Sequence, residues 1–214
     1  MHHKIEEKNA FTLAEVLITL GIIGVVAAMT MPTLINNTKK QELVAKYKKV
    51  YAEISQAYLM AQNNNGGTIE GLCTSANDYI TLFSKYLKNV QTCETSDKNP
   101  YCFTRSFKTL DGRVINSDPG ATLTTTDGAT LLFLHISSSC KGTTELNKAI
   151  GCARIRADIN GTKMPNTVGY DIFDFYLTQY GVIPRGHEDT TVNVDDKSGW
   201  GRGITILTTG KIDY

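Results

Sequence analysis

The chain has 214 residues, of which 41% are hydrophobic, 20% charged and 8% aromatic. This composition provides enough apolar side chains for one folded domain plus a further segment, and it excludes disorder as the main state. Lys and Arg total 22 against 21 Asp and Glu, so the net charge is +1. Nucleic acids and anionic membrane surfaces usually attract a basic excess, and the overall charge therefore argues against either as the principal partner.

An apolar run extends from Phe11 to Ile35, and Glu15 is its single charged residue. At about 1.5 Å per residue, a helix of that length reaches roughly 37 Å, enough to cross a hydrocarbon core of about 30 Å. The alternative is a cleaved secretory signal that begins at Lys4 and Lys8. Because the run is longer than an ordinary signal core and contains a carboxylate, the pattern favours a membrane-spanning helix.

Glu15 is a costly residue inside such a helix, and intramembrane carboxylates usually have a function and a positive partner. One hypothesis pairs Glu15 with a positive group on a neighbouring helix. The other treats Glu15 as an anchor that snorkels to the headgroups, and its position alone leaves both open. Pro32 removes one backbone donor, which predicts a kink or local loosening of the helix.

Residues 9–18 (NAFTLAEVLI) resemble the processing site of type IV pilins and type II secretion pseudopilins. In that family a prepilin peptidase removes a short basic leader before a Phe and methylates the new amino terminus, and the fifth mature residue is a Glu. The resemblance implies cleavage between Ala10 and Phe11 and gives Glu15 the assembly role. Pro32 matches a helix-loosening Pro of the family, whereas Ala10 replaces its usual Gly.

A periodic pattern follows the apolar run and predicts an amphipathic continuation of the same helix to about residue 65. A coiled-coil partner could cover its apolar face, but the short repeat favours packing on the chain's own sheet, as in pilins. The apolar positions are Leu43, Tyr47, Val50, Ile54, Ala57 and Ala61.

The rest of the chain predicts a second helix, Asp78–Val90, with Ser75 near its start, followed by short strands between Gly-containing turns. The fold class is therefore α+β and pilin-like, with a long amino-terminal helix packed on an antiparallel sheet. The predicted strands are Arg113–Asn116, Ala129–Ile136, Cys152–Ile159, Asp171–Thr178 and Gly203–Thr208.

The predicted organisation is a leader (1–10), a transmembrane and filament-core helix (11–35), its amphipathic continuation (36–65) and a globular head (66–214). Two lysines precede the span and five follow it closely, so the positive-inside rule would place the amino terminus outside. The processing motif and the cysteines favour the opposite orientation. We therefore expect a single-pass protein of the bacterial inner membrane with an extracytoplasmic head.

All five cysteines follow the span, and none forms the C-x-x-C pair that is typical of zinc sites. In an extracytoplasmic head we expect two disulfides. The short loops favour Cys93 with Cys102 and Cys140 with Cys152, which leaves Cys73 free. The alternative is a set of buried thiols in a reducing compartment.

The segment 158–173 concentrates oxygen ligands around a Gly-containing turn. Asp158, Asn160 and Asp171 form a candidate partial calcium shell, and major pseudopilins are similar in holding calcium in a loop beside the sheet. The alternative, which the residue types favour, is that these side chains close the turn by bonding to the backbone.

No catalytic motif is found, and the four histidines, His2, His3, His135 and His187, have no metal-ligand spacing. The sequence does not decide whether Trp200 anchors the carboxyl-terminal segment by packing or is an exposed aromatic residue that binds a ligand. The resemblance implies a non-enzymatic subunit of a type II secretion pseudopilus or a type IV pilus-like filament. Its partners would be the peptidase/N-methyltransferase, other pilin or pseudopilin subunits and an inner-membrane assembly platform. The rival function is a membrane-tethered extracytoplasmic binding or enzyme domain.

Overall fold

The computed structural model describes residues 12–95, 102–134, 136–140, 151–188 and 196–214. The chain forms two compact units, one ending at Lys39 and the other extending from Lys40 to Tyr214. Helix α1 (Leu13–Asn63) contributes its first part to one unit and its remainder to the other. The second unit contains all the strands of the described residues, and we call it the head from here on, a name that now includes residues 40–65.

The head is built on a six-stranded antiparallel sheet in the order β1-β4-β5-β6-β7-β8. A separate hairpin pairs β2 with β3. The strands are β1 (Asn89–Cys93), β2 (Ser106–Lys108), β3 (Val114–Asn116), β4 (Ala121–Thr125), β5 (Thr130–Leu134), β6 (Gly151–Asp158), β7 (Ile172–Thr178) and β8 (Gly181–Pro184). Helices α2 (Ala76–Phe83) and α3 (Arg202–Thr209) complete the head.

One face of the sheet packs against the head portion of α1 and against α2. The Tyr47 ring lies 4.4 Å from that of Phe173, and the Tyr79 ring stacks on Phe133 at 5.8 Å. The predicted stripe on α1 supplies this contact, since five of its six members are buried and Leu43 packs at the edge. The predicted α+β fold, a long helix on an antiparallel sheet, is thus confirmed.

The other face of the sheet is also covered, so every residue of β6 and β7 is buried. Phe107 and Trp200 pack there with Val168 and Ile172. The alternate residues of β6 on this face include Arg154 and Arg156, which the sequence alone did not place in a core.

Two predicted elements were wrong in extent or type. The predicted helix Asp78–Val90 ends at Phe83, and Val90 lies in β1, where Asn89, Gln91, Thr92 and Cys93 pair with β4. The predicted strand at 203–208 is helix α3 instead. Its β-branched residues suggested a strand, but the hydroxyls of Thr208 and Thr209 donate to carbonyls one turn earlier, and Gly210 ends the helix at φ 69°. Four predicted strands are confirmed as β3, β5, β6 and β7.

Candidate functional site

The start of α1 is closed by a reciprocal hydrogen-bond pair between Thr12 and Glu15. The Thr12 backbone N–H and hydroxyl both donate to Glu15 Oε2 at 2.8 Å, and the Glu15 N–H donates to Thr12 Oγ1 at 3.3 Å. This is a capping box, in which a threonine and a glutamate three residues later satisfy the free amides of a helix start. Glu15 therefore orders the first turn of α1, and its Oε1 is not used in this pair.

The unit that ends at Lys39 has an apolar surface that the rest of that unit does not cover. Leu13 is 79% exposed, Met29 73% and Leu34 67%. By length and composition, α1 is long and apolar enough to cross a membrane, and among the described residues it is the one helix that qualifies. Ala10 and Phe11, the predicted cleavage site, lie outside the described residues.

Polar groups within this apolar stretch are satisfied by the helix itself. The Thr19 hydroxyl donates to the Val16 carbonyl at 2.9 Å, and that of Thr30 donates to the Val26 carbonyl at 3.0 Å. Such internal bonds remove the cost of placing a hydroxyl in lipid. The helix continues through Pro32, so the predicted local loosening does not end it.

The turn between β6 and β7 joins the residues of the candidate calcium shell. Asp171 accepts hydrogen bonds from the backbone N–H groups of Asn166 (2.8 Å) and Thr167 (2.6 Å), and from the Asn160 side-chain amide at 3.3 Å. Asp158 accepts from the Thr104 hydroxyl at 2.6 Å. The two backbone bonds to Asp171 are turn-closing contacts of the kind that the alternative predicts, whereas the bond from Thr104 joins Asp158 to a distant part of the chain.

The same turn contains oxygen groups that could bind a cation. Burial raises the pKa of Asp158 to about 8, and burial also raises the pKa of Asp171. The side-chain oxygens of Asn160 and Asn166 are buried without a hydrogen-bond partner. Two carboxylates and two amide oxygens are hard ligands of the kind that calcium takes. The described residues contain no cluster of three or more His, Cys, Asp or Glu, so any shell would need backbone oxygens or water.

The cysteines lie in the two pairs that the sequence favoured. Cys93 is bonded to Cys102 and Cys140 to Cys152. Cys73 is free and buried, and burial raises the pKa of its thiol to about 12. At neutral pH this thiol is a core residue and not a nucleophile.

A buried ion network on the second face of the sheet was missed by sequence reasoning. Asp174 is fully buried and bonds Arg156 at 2.9 Å and Arg185 at 3.0 Å. Burial alone would raise the pKa of Asp174, but the arginine charges outweigh it and the pKa is lowered. The pairing of β7 with β6 brings Arg156 to Asp174, and its pairing with β8 brings Arg185 there, so no local motif could have revealed the network.

Trp200 belongs to this network as a packing residue. Its ring lies 4.7 Å from the guanidinium carbons of both Arg156 and Arg185, and it meets Phe107 edge-on at 6.0 Å. The structure therefore shows that Trp200 packs within the head, a point that the sequence left open. Of the histidines, His187 lies in a turn after β8, whereas His2, His3 and His135 lie outside the described residues.

Comparison with known proteins identifies the amino-terminal segment. Residues 7–31 match the family model of the prokaryotic N-terminal methylation motif. This motif is the signature of type IV pilins and pseudopilins, which are in general structural proteins, and it supports a pilin-like precursor. No curated protein and no solved structure showed a significant match to the chain.

Proposed function

We propose that this chain is a structural subunit of a type II secretion pseudopilus or a type IV pilus-like filament. One observation carries the proposal: the methylation motif at residues 7–31 continues directly into an apolar helix long enough to cross a membrane. A prepilin peptidase would cut between Ala10 and Phe11 and methylate the new amino terminus. The precursor would reside in the bacterial inner membrane with its head extracytoplasmic.

Assembly would proceed through the apolar part of α1, which leaves the bilayer and packs with the same segment of other subunits on an inner-membrane platform. Glu15 would pair with the amino terminus of a neighbouring subunit through the oxygen that the capping box leaves open. Burying either charge alone is costly, so pairing would set the register between subunits. Gly21 and Gly24 are exposed and have no side chain, so they would permit close approach of helices.

The test is intact-mass spectrometry of the protein from membranes and from sheared surface material, in cells with and without the peptidase. We expect a chain that starts at Phe11 with one added methyl group, and a full-length chain in the peptidase mutant. A full-length chain in both strains would contradict the proposal. It would favour a membrane-tethered domain instead.

We further propose that the turn around Asp158, Asn160 and Asp171 binds calcium. The supporting observations are the two unpartnered amide oxygens and the buried carboxylates. Calcium would offset the burial of these carboxylates and stabilise the head. Its effect on the melting temperature is the direct test.

A further inference from the structure

Five lysines lie between residues 39 and 49, and the proposed function gives them no role. Two of them are balanced by carboxylates within the head. Lys46 lies 2.9 Å from Glu42, one turn earlier on α1, and Lys49 lies 2.6 Å from Asp127. The charges of Lys39, Lys40 and Lys48 therefore need a separate explanation.

Lys40 and Lys48 both contact the segment 210–214. Lys40 Nζ donates to the backbone oxygen of Tyr214 at 3.4 Å, and Lys48 Nζ lies 3.3 Å from where a Cβ at Gly210 would sit. Lys211 follows Gly210 directly, so three lysines converge on this part of the head. We call Lys40, Lys48 and Lys211 the basic collar.

The basic collar is available to an outside partner. Lys48 and Lys211 are exposed and Lys40 is partly exposed. Within the part of the chain that the structure describes, no carboxylate side chain lies within 4 Å of these amines. Asp213 is the acidic side chain of the same segment, and Lys40 already donates to the Tyr214 backbone oxygen. Lys48 and Lys211 are therefore the more available amines of the collar.

Lys40 lies close to the apolar run along the chain. Lys40 is five residues beyond Ile35, about 7.5 Å along the helix, and the headgroup layer is about 5–7 Å thick. Lys48 follows on the same helix, α1. An anionic surface acts on exposed charges over roughly one Debye length, about 8 Å.

The charge distribution along the chain agrees with this position. Residues 36–49 contain five lysines and one glutamate, a local net charge of +4 in a chain whose total is +1. The overall charge, which argued against an anionic surface as the main partner, therefore hides a basic segment next to the span.

We propose that the basic collar binds anionic phospholipid headgroups of the leaflet from which the head emerges, and so sets the depth of α1 before assembly. The inference rests on the proposed membrane insertion. Juxtamembrane lysines gain roughly 1 kcal/mol each near an anionic leaflet, or about fivefold per residue.

The experiment reconstitutes the full-length chain in nanodiscs of phosphatidylcholine and phosphatidylglycerol. Native mass spectrometry then counts the lipids of each type that the released protein retains. We expect phosphatidylglycerol to be enriched about fivefold over its share of the bilayer at about 0.01 M salt, with the enrichment lost at about 1 M. The variant Lys40→Gln/Lys48→Gln/Lys211→Gln should lose it.

Two matched variants test whether the enrichment depends on where the charges lie or only on how many there are. Lys85→Gln/Lys88→Gln/Lys197→Gln removes the same charge from exposed lysines elsewhere in the head and should keep the enrichment. Lys40→Arg/Lys48→Arg/Lys211→Arg retains the charge and should also keep it. Circular dichroism melting checks that each variant folds.

Several outcomes would overturn the inference. The inference is wrong if the two glutamine variants lose the phosphatidylglycerol enrichment equally, or if the wild type shows no enrichment. It is also wrong if the collar variant keeps the lipid preference but no longer self-associates in pure phosphatidylcholine. The last result would mean that the collar binds a second copy of the chain. A chain that does not enter the nanodiscs would contradict the proposed function instead, so the two failures can be told apart.

Discussion

Glu15 has one role that the structure shows, as a capping residue, and a second role that we propose, in pairing between subunits. Its capping-box bonds to Thr12 give it a local structural reason to be there, independent of any neighbour. The T-x-x-E spacing is the signal that would have predicted these bonds. The proposed pairing between subunits needs the charge of Glu15, whereas the cap needs only a side-chain oxygen.

Two substitutions distinguish these roles. Glu15→Gln keeps a capping side chain and removes the charge, so filament yield should fall sharply, since leaving a buried charge without its partner costs about 3 kcal/mol. Thr12→Ala weakens the helix start by about 1 kcal/mol and keeps the charge, so the filament yield should stay near that of the wild type. Yield is measured by immunoblotting of sheared material. The reverse ranking would make Glu15 a cap alone.

Asp158 should make the head less stable as pH rises. Its pKa is about 8 when folded and near 3.8 when unfolded, so between these values folding takes up a proton. The free energy of unfolding should therefore fall from pH 4 to pH 8, by an amount on the order of 5 kcal/mol. Denaturant unfolding in the presence of a chelator measures it. Asp158→Asn can still accept from Thr104 and should flatten the profile, whereas a flat wild-type profile would show that Asp158 is ionised in the folded head.

Calcium bound at the turn should oppose the loss of stability that rising pH causes. At about 1 mM, a level suited to extracellular sites, calcium should raise the melting temperature at pH 8 more than at pH 5, because it competes with the proton on Asp158. Asp158→Asn/Asp171→Asn should abolish the shift, and magnesium serves as the control cation. No shift in the wild type would leave the turn-closing hydrogen bonds as the full role of these residues.

At the scale of elements, α3 shows how packing overrides local preference. The run Ile204-Thr205-Ile206-Leu207-Thr208 resembles a strand by composition, yet it forms a helix because Gly203 and Ile206 are buried against the rest of the head. A Cβ at Gly203 would lie 2.6 Å from the hydroxyl of Tyr47, which is itself fully buried. The small residue therefore permits the contact between α3 and α1.

Enlarging Gly203 should destabilise the head. Gly203→Leu must displace Tyr47 from its contact with Phe173, and we expect a loss of about 2 kcal/mol in the free energy of unfolding. Thr208→Leu, on the exposed side of α3, is the matched control and should change stability by less than about 0.5 kcal/mol. Equal effects in urea unfolding would mean that α3 does not pack on Tyr47.

At the scale of the whole molecule, the cysteine pairs connect fold and compartment. Cys93–Cys102 and Cys140–Cys152 each join residues close in sequence, and bonds of this kind persist outside the reducing cytoplasm. The disulfides and the processing motif therefore favour the same orientation of the head, against the positive-inside rule.

Thiol counting tests this arrangement. Protein from membranes should give no alkylation at pH 8 when native, because Cys73 is buried and the pKa of its thiol is about 12. After denaturation without reductant, one thiol should react, and peptide mapping should find the two cross-linked pairs. Five reactive thiols would place the head in a reducing compartment.

Much of the architecture follows from sequence pattern because local physics determines it. Each of the predicted elements has a pattern of apolar residues that only one type of secondary structure can place on a buried or lipid-facing side. Examples are the apolar run, the Leu43-to-Ala61 stripe and the strands around Ile155 and Phe175. The methylation motif is likewise local, and residues 7–31 are sufficient to recognise it. Strands β1, β2, β4 and β8 were not predicted, because their residue types do not alternate clearly between apolar and polar.

The sequence by itself therefore determined the amino-terminal motif, the apolar helix and the α+β class, since each depends on neighbours along the chain. Tertiary structure decided which residues meet across the sheet: Asp174 with Arg156 and Arg185, Trp200 between two guanidiniums, and Lys48 beside Gly210. These contacts join residues far apart in sequence, and strand pairing and helix packing create them. No local pattern records such contacts.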